Sequence, residues 1–335
     1  MSDLVPTEAE RQRIFEQRVR PVLFPHGPSE SPDLVFVVGQ PGAGALRSTA
    51  RLMADRSVAT LSVSDLGAFH PRFLDLSRSR APEAASILSQ STTGWMQSAL
   101  QHARTTRRSL LLDGTGSAPD IAIATAGLFA RSGFSTTVAV VAVSKAESLL
   151  AATSKYLLDA RARRVSAITS VAQHNAGFDQ TRKLVTSLES TPSVDRLMIV
   201  GRDGALRFDA SDTDGAAFAG ATAALDRERT AAIAAPQAMR WLSELRAATD
   251  FALSARQIER PLADALIELH EIALQDVVPR LPLPEDSQAR PIAEANLARQ
   301  LAAVRQVARP ERRPAPQSGP VVSAPVPAPD RGISR

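Results

Sequence analysis

Residues 34–49, LVFVVGQPGAGALRST, contain a glycine pattern that could bind phosphate. An apolar, β-branched run leads into Gly39, Gly42 and Gly44, and a helix-like segment follows. In this order of strand, glycine turn and helix, backbone N–H groups can surround phosphate oxygens. Gly39 and Gly44 fit the spacing G-x-x-x-x-G-K-[ST], but Ala45 and Leu46 stand where that pattern has lysine and a hydroxyl residue. The sequence therefore predicts a phosphate-binding loop that lacks its usual cation and magnesium ligand.

A second alignment of this loop treats Ala45-Leu46 as an insertion, so that Arg47 would supply the cation and Ser48 the metal ligand. In the first alignment, Arg47 lies about 200° round the helix from the lysine position and faces solvent. We favour the first alignment, because a longer loop would disturb the amide geometry that binds phosphate. The two alignments together give these nucleotide-binding candidates: Gly39, Gln40, Pro41, Gly42, Ala43, Gly44, Ala45, Leu46, Arg47 and Ser48.

Acidic residues follow the next two predicted strands. The second strand ends in Ser62-Val63-Ser64-Asp65 and runs into FHPRF at residues 69–73, and the third ends in DGTG at residues 113–116. Because the carboxyl ends of strands in a doubly wound sheet share one edge, Asp65 and Asp113 are expected to converge near the glycine loop.

In content and order, these motifs resemble the zeta-toxin family. The resemblance covers residues 32–209. It rests on GQPGAG at 39–44, HPRF at 70–73, Trp95, DGTG at 113–116, Lys155-Tyr156, His174-Asn175 and RDG at 202–204. It implies a P-loop kinase of bacterial toxin–antitoxin systems that phosphorylates a sugar hydroxyl of UDP-N-acetylglucosamine. The implied cofactors are ATP and Mg²⁺, and the implied partners are the nucleotide sugar and an antitoxin protein.

The resemblance assigns catalytic roles to acids that depart from the family pattern. The catalytic aspartate of the family lies six residues before the histidine of HP, which is Ser64 here, with Asp65 beside it. On a continuing strand, the Asp65 side chain would point to the opposite face. Asp113 stands where the family usually has glutamate, so it keeps the charge and loses one methylene of reach.

The basic positions also depart from the pattern. Lys155 replaces a usual arginine, which exchanges a planar fork for a point charge, and either Arg163 or Arg164 can match a second phosphate-directed arginine. The resemblance assigns substrate binding to His70, Arg72 and Thr115. His174 is expected to order a loop, and we expect no metal site formed by His70 and His174.

These departures predict an impaired enzyme. Phosphoryl transfer depends mostly on positioning and charge neutralisation, so the loss of the loop lysine should weaken it strongly. The first hypothesis is a zeta-toxin-like, ATP-dependent phosphotransferase acting on a nucleotide sugar. The alternative is a catalytically inactive binding or regulatory module with the same fold, and a third is a structural domain of a larger protein.

The elements that position these residues alternate between strands and helices, which predicts an α/β fold of the P-loop NTPase type. It has three layers, a mostly parallel sheet and a helical C-terminal extension. Strands are predicted at residues 34–38, 58–63, 109–113, 136–143, 196–200 and 205–208. The predicted units are an N-terminal helix and linker (1–31), the kinase domain (32–211), the helical extension (212–308) and a disordered Pro-rich tail (309–335).

Composition bounds the class of protein. The chain has 335 residues and no cysteine, which excludes disulfides and cysteine-bound metal and agrees with a cytoplasmic location. No run of about 20 apolar residues could span a bilayer, so we expect no membrane partner. The 39 basic residues are balanced by 35 acidic ones and lack interleaved aromatics, so we do not expect nucleic-acid binding.

Overall fold

A six-stranded sheet forms the centre of the protein. The computed structural model describes residues 5–53, 58–79, 82–113, 118–162, 164, 166–212, 217–254, 258–284 and 287–308. The strands are β1 (Asp33–Val38), β2 (Ala59–Leu61), β3 (Leu110–Asp113), β4 (Ser135–Ala142), β5 (Arg196–Gly201) and β6 (Leu206–Ser211). Their order is β2-β3-β1-β4-β5-β6, and every pairing is parallel except that of β6 with β5. The predicted α/β fold with a mostly parallel sheet is therefore confirmed.

Helices fill the connections between the strands. They are α1 (Glu8–Ile14), α2 (Arg20–Leu23), α3 (Ala45–Met53), α4 (Val63–Gly67), α5 (Phe73–Arg78), α6 (Pro82–Thr105), α7 (Pro119–Ala130), α8 (Lys145–Arg161), α9 (Val171–Ser190), α10 (Ala221–Thr230), α11 (Ala235–Ser254), α12 (Arg260–Ile272) and α13 (Ala289–Ala308). A π-helical turn, Phe15–Val19, joins α1 to α2, and Ala273–Val277 and Val278–Arg280 continue α12 as π and 3₁₀ turns. No helix in the described ranges is long and apolar enough to cross a membrane.

The sheet is buried on both faces, as expected for a parallel sheet with crossover helices. On β1, Leu34 and Phe36 pack into one cluster with residues of α6, α7, α9 and α10. Val35 and Val37 belong to a second cluster on the other face, where α3 packs. The continuous apolar run of β1 thus places the glycine loop at the end of a fully buried central strand.

The second strand is shorter than predicted. It ends at Leu61, not at residue 63, because Ser62 caps α4 and its hydroxyl accepts a hydrogen bond from the Asp65 N–H. A serine in this role starts a helix by satisfying one of its free N–H groups. The predicted end of this strand at residue 63 is therefore two residues too late, and Asp65 lies on α4 and not on a continuing strand.

Helix α8 joins the sheet domain to a helical extension made of α11, α12 and α13. Leu149, Leu150 and Leu157 of α8 pack into the same apolar cluster as residues of all three helices. The Trp241 indole donates a hydrogen bond to the Ala146 carbonyl at 3.0 Å. One face of α8 therefore packs against the extension, and another face lies against the glycine loop.

Candidate functional site

The glycine loop has the length of a phosphate-binding loop and no insertion. β1 ends at Val38, and the Ser48 N–H donates to the Gly44 carbonyl at 2.9 Å, so α3 begins at Ala45 directly after the loop. Amides in the first turn of a helix lack helical acceptors and favour anions. The backbone geometry is thus suited to binding a phosphate group.

Helices α8 and α9 pack closely against this loop. Gly42 has φ of +82°, and a Cβ built on it would lie 1.9 Å from the Ser148 carbonyl oxygen of α8. A Cβ on Gly177 of α9 would lie 2.8 Å from Cδ of Pro41. Gly44 also has a positive φ of +73°, but open space surrounds it. The loop therefore has no room for a side chain at Gly42, whereas the Cβ position at Gly44 is free of contacts.

The first two residues of α3 bring no cation or hydroxyl to the loop. Ala45 is buried, and Leu46 packs against the apolar cluster on the α3 face of the sheet. Arg47 is exposed on α3. The buried Ser48 hydroxyl donates to the Arg202 carbonyl at 3.3 Å, in the turn between β5 and β6. Leu46 offers no oxygen, so the usual protein hydroxyl for Mg²⁺ is missing there.

A buried polar network lies under the loop. The Gln40 side chain is fully buried, and its Nε2 donates to the Val143 carbonyl at 2.8 Å and to Ser148 Oγ at 3.2 Å. Its Oε1 accepts from Nη2 of Arg229 at 3.0 Å. Ser148 Oγ lies 2.9 Å from Nε2 of His174, a residue of the first turn of α9. This network fixes the second residue of the loop to α8, α9 and α10.

His174 makes stability depend on pH. Burial lowers the pKa of its imidazole from 6.5 to about 4, and the positive charges of Lys145 and Arg229 also lower it, whereas Asn175 and Glu268 oppose the shift. Between these values the unfolded chain binds the proton more readily than the folded chain. We therefore expect His174 by itself to lower the free energy of unfolding by about 3 kcal/mol as pH drops from about 7 to about 4, measured by urea unfolding.

His174→Gln is the control for this pH dependence, because glutamine can still hydrogen-bond Ser148 and does not titrate. The variant should lose about 3 kcal/mol of the fall in stability, which is the contribution of His174. Burial also lowers the pKa values of His102 and His270, so part of the dependence should remain. An identical fall in the variant would show that His174 is not responsible.

The two candidate acids lie at the carboxyl edge of the sheet. Asp113 ends β3 in register with Val37 of β1, which places it beside the start of the glycine loop. It is half-buried. Asp65 is exposed in the first turn of α4, three residues after the capping Ser62. Asp113 is thus adjacent to the loop through strand pairing, and Asp65 reaches this edge through a helix.

His70 and Arg72 lie between α4 and α5. His70 is only 3% exposed, its Nδ1 accepts from the Arg72 N–H at 3.1 Å, and its ring meets the Trp95 ring edge-on. Trp95 is itself buried and donates to the Arg11 carbonyl at 3.1 Å. Arg72 is exposed and pairs with Asp75 at 3.1 Å. Thr115 lies outside the described residues.

The candidate cations gather around one carboxylate. Lys155 Nζ lies 2.8 Å from Asp159 Oδ2, and Arg164 lies 3.9 Å from Oδ1 of the same residue. The hydrogen bond from Lys155 is the main cause of the lowered pKa of Asp159. Lys155 follows Ser148 and Ala152 on one face of α8, about 4.5 Å along the axis beyond Ala152. Its side chain is 76% exposed, and Arg163 lies outside the described residues.

Reasoning from the sequence missed Ser148 and Arg229. Gln40 and Arg229 are 189 positions apart in the chain, and an arginine within a polar helix gives no sign that it is buried. Asp159 was missed as well, although its spacing of four residues from Lys155 on a helix could have indicated the ion pair.

Comparisons with known proteins give the family. The family model described as Zeta toxin matches residues 21–213, more than half of the chain. A solved structure of the PezAT chromosomal toxin–antitoxin system of Streptococcus pneumoniae is 16% identical with a TM-score of 0.62, covering 75% of this chain and 100% of that one. The native AvrRxo1-ORF1:AvrRxo1-ORF2 complex is also 16% identical, covering 82% and 80%, but its TM-score is only 0.42. No curated protein matches the chain. With its glycine loop on a parallel sheet and the family match across that sheet, the chain belongs to the zeta-toxin family.

Proposed function

We propose that this protein is an ATP-dependent phosphotransferase of zeta-toxin type with strongly reduced activity, and that it acts on a nucleotide sugar of the UDP-N-acetylglucosamine type. The proposal rests above all on the first turn of α3. It follows a complete glycine loop, yet it carries Ala45 and Leu46 in place of a cation and a hydroxyl. The backbone N–H groups that could bind phosphate remain, but the positive charge available to neutralise the transferred phosphoryl group is reduced.

In this proposal the remaining side chains have distinct roles. The acceptor hydroxyl oxygen attacks the γ-phosphorus of ATP, its proton passes to Asp65, and the bond to the β–γ bridging oxygen breaks to release ADP. Asp113 would help to hold Mg²⁺, which would supply positive charge to neutralise the phosphates. Lys155 and Arg164 would approach the phosphates from α8 and the segment after it. His70, Arg72 and Thr115 would position the sugar.

The expected rate loss is large. Removal of one preorganised donor from a transition state commonly costs on the order of 100-fold to 1,000-fold in rate. Lys155 can offset part of this loss only by leaving Asp159, because the same Nζ cannot serve both groups fully. Lys155 is the exposed partner of this pair, and ion pairs at the protein surface commonly stabilise by about 1 kcal/mol or less, so phosphate could compete for the lysine.

The alternative is a catalytically inactive binding or regulatory module of the same fold. Two observations favour it. Leu46 is used for packing, and both candidate cations contact Asp159. A cytoplasmic location and an antitoxin protein as partner belong to either form of the proposal.

Calorimetric titration tests the proposal, with ATP plus Mg²⁺ and with UDP-N-acetylglucosamine, followed by a turnover assay. Binding of both ligands with slow formation of ADP and phosphorylated sugar nucleotide is the expected result. Binding of the sugar nucleotide without any turnover would favour the inactive module. Absence of binding by either ligand would reject both forms.

A further inference from the structure

A cavity lies where the sheet domain meets the helical extension, at the start of α8. Its volume is about 220 Å³, and it is lined by the start of α8, the end of α10 and the turns that continue α12. Lys145, Arg229 and Arg280 contribute positive charge to its wall, and Asp276 is the lining carboxylate. Ile272 and Val277 form part of an apolar wall. The cavity therefore combines cations with an apolar surface.

Cations outnumber carboxylates in the lining of this cavity. Lys145 pairs with Glu268 at 2.6 Å, and Arg280 lies 3.6 Å from Asp276. Among the residues that the structure describes, no carboxylate lies within ion-pairing distance of Arg229, and Asp226 and Asp179 act on it from farther away. The lining itself carries three cations and one carboxylate.

Arg229 is the unusual member of this group because it is 6% exposed. Nη1 donates to the Phe178 carbonyl at 2.9 Å, Nη2 donates to Gln40, and the guanidinium lies 3.8 Å from the centre of the Phe178 ring. Its Nε has no hydrogen-bond partner. Burial lowers the pKa of Arg229 to about 10. A buried cation with no carboxylate at ion-pairing distance gains stability when an anion approaches it.

We propose that this cavity binds a small organic anion, whose carboxylate or phosphate group contacts Arg229 and Lys145 and whose short apolar body packs against Ile272 and Val277. The inference does not depend on phosphoryl transfer. The three cations of the lining favour an anion, and the apolar wall favours a ligand larger than an inorganic ion.

Thermal unfolding of the full chain tests the site with butyrate, with its neutral analogue butyramide and with inorganic phosphate, at constant ionic strength. We expect butyrate to raise the melting temperature by about 3 °C at saturation, since a ligand that binds only the folded state stabilises it. Butyramide should have no saturable effect. A saturable shift with phosphate and not with butyrate would contradict the proposed organic ligand, because phosphate has no apolar body to pack against Ile272 and Val277.

Two matched variants locate the effect. Ala231 lines the cavity and is exposed, so Ala231→Trp should block the opening and abolish the shift. Ala232 is exposed and is not among the lining residues, so Ala232→Trp should leave the shift unchanged. Lys145→Met should weaken binding about tenfold, as expected for one charge-assisted hydrogen bond. An equal shift in Ala231→Trp, or no saturable shift with either anion, would overturn the proposal.

Discussion

Replacing Ala45 with lysine is expected to raise ATP-dependent phosphoryl transfer on the order of 100-fold, the scale of one restored transition-state charge. Ala45 is the first residue of α3 and follows a loop of the normal length. A lysine there would start from the same backbone position as in the complete pattern and could reach the β- and γ-phosphates. Leu46 would still offer no ligand to Mg²⁺, so the restoration should be partial.

Single-turnover measurement of ADP and phosphorylated sugar nucleotide would detect this gain. Ala50→Lys is the matched control, because it adds the same charge to an exposed position of α3. It should change the rate less than about twofold, since exposed charges are screened. If Ala45→Lys improves ATP affinity without any transfer, the inactive module is favoured. If it improves neither, the loop does not bind nucleotide phosphates.

The sheet could be predicted from the sequence because its strands are short apolar runs with local boundaries. The run at residues 34–38 became β1 with one added residue, Asp33. The prediction failed at the end of β2, where two local signals compete. Val63 favours a strand, but the Ser62 hydroxyl caps a helix and ends the strand two residues earlier. The cap prevails, and Asp65 is therefore carried by a helix.

The surroundings of the glycine loop could not be predicted in the same way. Its glycine spacing is local, but the residues that support it come from distant parts of the chain. Gln40 contacts Ser148 and Arg229, which are 108 and 189 positions away. No pattern in the sequence marks the side chain of Arg229 as buried, and only the packing of α10 on the sheet makes it so.

Substitution of Gly42 by alanine is expected to destabilise the fold by at least about 4 kcal/mol, in the range reserved for severe packing errors. The new Cβ would lie 1.9 Å from the Ser148 carbonyl oxygen and 2.9 Å from the Ala152 nitrogen, both backbone atoms of α8. Neither can move without displacing a helix that also packs against the helical extension. The positive φ of Gly42 adds a further cost of about 1–2 kcal/mol for any residue with a Cβ.

Gly44→Ala is the matched control for the substitution of Gly42. Gly44 has a similar positive φ, but nothing lies within 4 Å of the Cβ position, so only the backbone cost of about 1–2 kcal/mol applies. Urea unfolding followed by Trp95 in the sheet domain and Trp241 in the extension would compare the two variants in both regions. If Gly42→Ala destabilises the protein by several kcal/mol more than Gly44→Ala does, α8 maintains the conformation of the loop even though the loop lacks its lysine. Equal destabilisation by the two variants would mean that the loop shifts at Gly42 to make room for the Cβ. Its phosphate-binding geometry would then not be fixed by α8.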